Sequence, residues 1–305
     1  MNKPESVVVT GVGPLAAGGS GKDGLWSSVM EARTGLVRKR YAIGAEDVGT
    51  FYLHEISGFD INGYGLDKRA LDDIRSWKEG DEIVDLLYFL AVIKMAMDDS
   101  SLKIDDASGA VTGVVLAHEN IGLDHFYWNV VTEMGHRGAG EAARAGKAFF
   151  DRFYSKFKRT GYELQTFMPL FHIAKAFGLH GYSLFLNNAC ASGLYAIEAA
   201  ADAIRSGKCD AMVVAAVDRS SVFKHVWFDE LKMFAKDGLI KPFARGRDGF
   251  TLGDGGAAMV LESAASAARR KARVYAEYAG GSFTLEGWKV TYPDISSDRD
   301  RKSVV

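Results

Sequence analysis

Residues 181–200 read GYSLFLNNACASGLYAIEAA, and they place Cys190 where an apolar run ends and an alanine-rich helical pattern begins. The first backbone N–H groups of a helix lack intrahelical partners, and the helix dipole points its positive end at them. Both favour an anion at that corner, and a thiolate is one. The same donors suit the oxyanion formed when a nucleophile attacks a carbonyl. Ala189, Ala191, Ser192 and Gly193 are small, so a bulky acyl group has room to approach the sulfur. The spacing is that of a strand–nucleophile–helix turn. Position alone leaves a second reading open, a cysteine buried as a small hydrophobe. Cys209, the only other cysteine, follows Gly207 on the way into a strand and reads as structural.

Alternating strand and helix patterns must position this corner. Residues 6–16 form a β-branched run that Gly11 and Gly13 are expected to close into a loop. A helix is expected over 21–32 with Trp26 and Val29 on one face. Residues 82–98 are apolar nearly all round, which marks a central, buried helix. Strands follow at 110–117, 182–187, 210–218, 257–262 and from 273 to 281. Helices are expected over 142–160, with an aromatic stripe from Phe149 to Phe157, over 167–177 up to Gly178, and over 192–206 up to Gly207. Residues 263–272 are small and basic and read as a connector or short helix. Strands alternating with helices imply an α/β layered fold with buried, mostly parallel strands.

Composition narrows the function. The chain has 305 residues, 48% hydrophobic and 25% charged, with a formal net charge of -2. That balance gives no electrostatic support to a nucleic-acid partner. Two cysteines make neither a disulfide framework nor a CxxC pair, which points to a reducing, cytoplasmic setting. The start, MNKPESVVVTG, runs straight into a strand and does not read as a signal peptide. No segment is apolar for the 18 or so residues that a membrane span needs.

The segment NNACASG resembles the active-site segment of the β-ketoacyl synthases, condensing enzymes of the thiolase fold. Further segments fall in that family's order. VVVTGVGPLAAGG resembles its N-terminal strand and glycine loop. FMPLFHIAKAFGLHGYSLFLNNACASG is similar to the helix, glycine pair and strand that deliver the nucleophile. SGKCDAMVVAAVDRS is similar to the strand after the nucleophile helix. KPFARGRDGFTLGDGGAAMVLE, residues 241–262, resembles the glycine-rich segment that shapes the site. There Arg247, Asp248 and Asp254 sit among glycines that allow close backbone passage beside the sulfur or another strand.

The resemblance implies a thiolase-like layered α-β-α-β-α fold, of which this chain carries mainly the first half. Residues 1–262 would be the N-terminal domain with its nucleophile turn, and 263–305 the incomplete start of the C-terminal half. It implies a β-ketoacyl-acyl carrier protein synthase, an acyltransferase performing decarboxylative condensation through an acyl-cysteine. Cys190 would be the catalytic nucleophile, its backbone N–H one oxyanion donor. No metal or cofactor is implied, because substrates ride on the phosphopantetheine of an acyl carrier protein.

The family's two catalytic histidines, its lysine and its second oxyanion loop belong to the later half. Of the seven histidines here, none lies in a matching segment. His172 and His180 suit packing or surface roles, and His118 follows a buried strand. The missing groups must come from a further segment or a partner chain. Milder departures are Asn188, Ala215 and Ala216, and Asp254 where glutamate is usual. The alternative is a non-condensing, acyl-binding or partner subunit of a fatty-acid or polyketide synthase. Expected partners are the carrier protein and a homodimer or heteromer, with strand 182–187 pairing across a twofold axis. Lys156, Lys158, Arg159, Arg269, Arg270 and Lys271 read as a solvated face, with contact to an acidic carrier as the alternative.

Overall fold

The computed structural model describes residues 5–43, 46–76, 83–104, 111–119, 121–135, 161 and 164–284. The expected helix over 142–160, its aromatic stripe and residues 285–305 lie outside these. The larger sheet runs in the order β10 (Ala276–Glu277), β1 (Val7–Ala16), β9 (Gly255–Ser263), β7 (Ala211–Asp218), β5 (Thr112–Ala117) and β6 (Ser183–Leu186), with β2 (Gly19–Ser20) on β1. β5 is parallel to both β6 and β7, whereas β9 is antiparallel to β7 and to β1. The sheet is therefore mixed, which corrects the expectation of mostly parallel strands. The chain leaves β7 through α7 (Val222–Glu230) and a long loop, then re-enters beside Asp218 at Gly255. Returning from the end it left makes the pair antiparallel.

Both sheet faces are buried, and alternation divides them. Val114, Leu116, Val213 and Ala215 meet α3 (Val84–Ser100), while Val115, Ala117, Met212 and Val214 meet α6 (Ser192–Arg205). A strand covered on both sides reads as an unbroken apolar run. The continuous block Leu86–Ile93 in α3 is buried, as its all-round hydrophobicity requires. α5 (Phe167–Phe177) stops at Gly178 in the left-handed conformation, and Gly207, with φ +71°, follows α6.

Gly11 and Gly13 lie inside β1 and do not close it. α3 crosses β1 so tightly that a Cβ on Gly13 would stand 2.2 Å from the Val92 carbonyl oxygen, and one on Gly11 2.3 Å from that of Ala96. They are packing glycines, and a strand-breaker reading of them fails for that reason. α1 (Gly21–Met30) leaves Trp26, Val29 and Met30 exposed. The expected strand at 273–281 is only the two-residue β10, and 263–272 contains α8 (Ala264–Arg269), capped by Ser263.

Residues 36–54, for which the pattern carried no expectation, form a hairpin of β3 (Leu36–Ile43) and β4 (Glu46–His54). The two-residue β8 (Leu252–Gly253) pairs in parallel with β4. An aromatic box fastens this small sheet to α7. His225 is fully buried, its ring centroid 5.3 Å from Tyr41, 5.1 Å from Phe51 and 5.5 Å from Phe234. Its Nδ1 lies 2.7 Å from the Ser221 carbonyl oxygen. A second anchor is the fully buried Glu262, which accepts from Thr10 Oγ1 and from Arg270 through both Nε, at 2.9 Å, and Nη2. Arg270 also donates to the Ser100 carbonyl at 2.7 Å, joining β9, α3 and the end of α8.

Three outcomes follow for stability. Gly13→Ala forces α3 off β1 and is expected to lose about 2–3 kcal/mol in urea unfolding. Arg270→Ala strands the Glu262 carboxylate and costs about 3–5 kcal/mol; adding Glu262→Gln recovers part of that loss, and a double mutant no more stable than Arg270→Ala contradicts the pairing. Burial lowers the His225 pKa below its ordinary value. Below about pH 6.5 the unfolded chain therefore binds a proton that the folded one refuses, and stability drops as the pH is lowered. His225→Phe should flatten that slope relative to the wild type.

Candidate active site

β5, β6 and β7 are parallel, so their C-terminal ends share one edge of the molecule, and Cys190 is delivered there. β6 ends at Leu186, whose carbonyl accepts the His118 N–H at 3.1 Å just beyond β5. Asn187 then turns the chain: its Nδ2 donates to the Glu119 carbonyl at 2.9 Å, and its Oδ1 accepts the Ala189 N–H at 3.3 Å. Ser192 ties the corner from the helix side. Its Oγ accepts the Asn188 N–H at 2.7 Å and donates to the Ala189 carbonyl at 2.6 Å. Ala189 carries φ +50°, a left-handed conformation rarely adopted by a residue with a Cβ. That strain is held by the bonds on either side of it, and it turns the chain outward at the next residue, Cys190.

Cys190 is exposed and Cys209 buried. Burial raises the Cys209 thiol pKa, and its sulfur accepts the Tyr182 N–H at 3.4 Å, so the structural reading of Cys209 holds. The buried-hydrophobe reading of Cys190 does not. Leu194, in the first turn of α6, is 73% exposed and leaves an apolar surface next to the sulfur in sequence. A Cβ on Gly193 would only touch Ala216, at 3.5 Å.

The glycine-rich segment 241–262 works by fastening. Asp254 accepts from the Ser220 N–H at 2.9 Å, the Ser220 hydroxyl at 2.8 Å and the Ile56 N–H at 3.3 Å. It thus joins the end of β4 to the corner between β7 and α7. Gly256 passes close beside Val217 and Ala216 of β7, a strand and not the sulfur. Asp248 faces Lys241 at 3.6 Å, and Arg247 Nη1 donates to the Ala244 carbonyl at 3.1 Å.

Among the described residues, the histidine side chains divide as packing and surface groups. His172 is buried edge-on to Phe171, His180 is exposed, and His54 Nδ1 lies 2.7 Å from the Thr34 carbonyl oxygen. His118 points to the α3 side of the sheet, with Asp85 Oδ1 3.7 Å from its Nε2 and Phe89 at 6.0 Å. Burial opposes the Asp85 charge, but His118, Arg219 and Lys224 together outweigh it and the carboxyl pKa lies below its usual value. Neither nitrogen of His118 has a hydrogen-bond partner among the described residues.

Lys224, from α7, connects this edge together. It pairs with Asp218 at 2.5 Å and Glu119 at 3.3 Å, and donates to the Arg219 carbonyl at 3.2 Å. Sequence reasoning missed Asn187, Ser192 and Lys224 as positioning residues. A serine two places after the nucleophile was a visible signal for Ser192, since serine readily bonds nearby backbone. Lys224 had none, because only the fold brings it to Glu119, a residue far away in sequence.

Comparison with known proteins agrees with this geometry. A family model described as beta-ketoacyl synthase, N-terminal domain, matches residues 4–267. The chain is 28% identical over 294 residues to a 3-oxoacyl-[acyl-carrier-protein] synthase 2 of Vibrio harveyi, covering 94% of this chain and 65% of that protein. It is 30% identical over 288 residues to the tetracenomycin polyketide synthase ketoacyl synthase alpha subunit of Streptomyces glaucescens, covering 90% and 61%. The chain thus spans slightly less than two thirds of the length of these relatives. Among solved structures, the ishigamide ketosynthase/chain length factor superposes with a TM-score of 0.72 at 23% identity, covering 92% of this chain and 63% of that one, a likeness of fold. With the family match running through β1, the Cys190 corner and β9 in one stretch, the chain belongs to the beta-ketoacyl synthase family, through its N-terminal domain.

Proposed function

We propose that this chain carries the nucleophile of a β-ketoacyl-acyl carrier protein synthase, and that Cys190 is that nucleophile. The observation that supports the reading best is an exposed cysteine on a strained strand-to-helix turn, braced by Asn187 and Ser192. The sulfur attacks an acyl thioester carbonyl. A carbon–sulfur bond forms at Cys190, and the carrier's phosphopantetheine thiol leaves with the proton. The Cys190 N–H, beside the start of α6, supplies one oxyanion donor. A malonyl-type thioester then loses carbon dioxide; its enolate carbon bonds to the acyl carbon and the Cys190 thiol is released. The histidine pair and lysine for that step come from a further segment or a partner chain. A non-condensing, acyl-binding subunit is the alternative.

The same reading sets the remaining assignments. Residues 1–262 form the N-terminal domain and 263–305 begin the next, in keeping with a family match ending at 267. An acyl carrier protein delivers the substrates, in the cytoplasm; no helix among the described residues is long and apolar enough to cross a membrane. A dimer pairs β6 with a copy of itself or of a related chain, supported by the place of β6 as the last strand of its sheet.

Incubating the chain with octanoyl-carrier protein should add one octanoyl mass at Cys190 and none at Cys209. Cys190→Ala should abolish the adduct. An unmodified wild-type protein after prolonged incubation rejects the nucleophile, and loading without later carbon dioxide release from malonyl carrier, in the presence of the complementary half, selects the non-condensing alternative.

A further inference from the structure

The nucleophile turn has the backbone amides of residues 188–192 to place, and most of them are taken. The Asn188 N–H goes to Ser192 Oγ at 2.7 Å and the Ala189 N–H to Asn187 Oδ1 at 3.3 Å. The Ala191 N–H goes to the Asn188 carbonyl at 3.3 Å and the Ser192 N–H to the Ala189 carbonyl at 3.1 Å. The remaining amide, that of Cys190, has no hydrogen-bond partner among the described residues. A backbone donor must find its acceptor in the fold, in water or in a ligand. Cys190 is exposed, so its amide is the one at this turn that a ligand oxygen can claim.

Side chains make that selection. Ser192 acts from the first residue of α6, and Asn187 from the other side of the turn. Without Asn187, the Ala189 N–H would become a second free donor beside the first. Ala189, at φ +50°, would also lose a bond that opposes its relaxation. Asn187 is itself anchored, because its Nδ2 donates to the Glu119 carbonyl at 2.9 Å. The Glu119 carboxylate lies 3.3 Å from Lys224 Nζ, which also pairs with Asp218 at 2.5 Å and donates to the Arg219 carbonyl at 3.2 Å. Burial opposes the Lys224 charge, but Asp218, Glu119 and Asp124 of α4 (Leu123–Gly135) outweigh it, and the pKa lies above the ordinary lysine value. Lys224 is thus a fixed cation, and the exits of β5, β6 and β7 are joined through one amide side chain.

We propose that Asn187 is a positioning residue for acyl transfer: by occupying the Ala189 N–H and bracing the turn on Glu119, it reserves the Cys190 N–H for the carbonyl oxygen that becomes the oxyanion. The inference rests on Cys190 as the acylated residue and names a residue of this chain that serves that step. A donor stabilises developing charge to the extent that it is held in place beforehand. The role of Asn187 therefore belongs to attack on a carbonyl and not to the reactivity of the sulfur as such.

Octanoyl-carrier protein and iodoacetamide separate those two, since both modify a cysteine thiolate but only the first forms an oxyanion. Asn187→Ala should lower the saturating rate of octanoyl loading, read by intact mass, about tenfold, with the half-saturating carrier concentration within about twofold. Its rate of alkylation at Cys190 should stay within about twofold of the unaltered protein from about pH 6 to 9. Asn187→Ser, whose hydroxyl can accept the Ala189 N–H, should recover part of the loss. Glu119→Gln keeps the carbonyl but removes the ion pair with Lys224. It should slow loading by about threefold in the unaltered protein and by nothing further on top of Asn187→Ala. Loading of Asn187→Ala at the wild-type rate overturns the proposal. So does alkylation that falls in step with loading, or a Glu119→Gln loss equally large in both backgrounds. A wild-type protein that is alkylated at Cys190 but never loaded fails the nucleophile reading and this role with it; normal wild-type loading with an indifferent Asn187→Ala fails this role alone.

Discussion

The position of β5 governs the rest of the molecule. It lies parallel between β6 and β7 and is buried on both faces, and its run from Val114 to Ala117 is apolar. Three parallel strands bring three chain exits to one edge: His118 and Glu119 after β5, Asn187 to Cys190 after β6, and Asp218 to Ser221 after β7. Polar groups that are scattered along the sequence meet there because the three chain exits lie side by side. The cross-links between the exits, Asn187 to Glu119 and Lys224 to Glu119 and Asp218, satisfy backbone and charge that would otherwise be lost to water.

Strain and support are matched at the nucleophile turn. Ala189 holds a conformation that costs of order 1 kcal/mol or more in a residue with a Cβ. Ser192 and Asn187 each make two hydrogen bonds around it. The outcome is an exposed Cys190 on a braced turn, with α6 fixed behind it by Ala196, Ala200 and Ala203 against the sheet. Small side chains on that face bring the helix close to the strands. The same economy appears across the sheet, where Gly11 and Gly13 bring α3 onto β1.

Much of this was legible beforehand. The spans of α5, α6, β7 and β9 follow from periodicity and from Gly178 and Gly207, whose local conformational demands do not depend on distant partners. The β3–β4 hairpin was not legible. Its stretch LVRKRYAI mixes charged and apolar residues because it is largely exposed, and it is held by β8 and by the His225 box, contacts made across 170 or more residues. The direction of β9 was equally hidden, since an antiparallel and a parallel buried strand carry the same apolar signature.

The amino-acid sequence by itself determined the alternation of elements, the glycine stops, and a cysteine set at the junction of strand and helix. Those are local properties: hydrophobic period, backbone freedom and the polarity of a helix start act over a few residues. Tertiary structure alone decided that β1 runs through its glycines, that the sheet is mixed, and that Cys190 is exposed while Cys209 is buried. Each depends on which distant segments come within contact, and contact distance is set by packing, which no single stretch of chain contains.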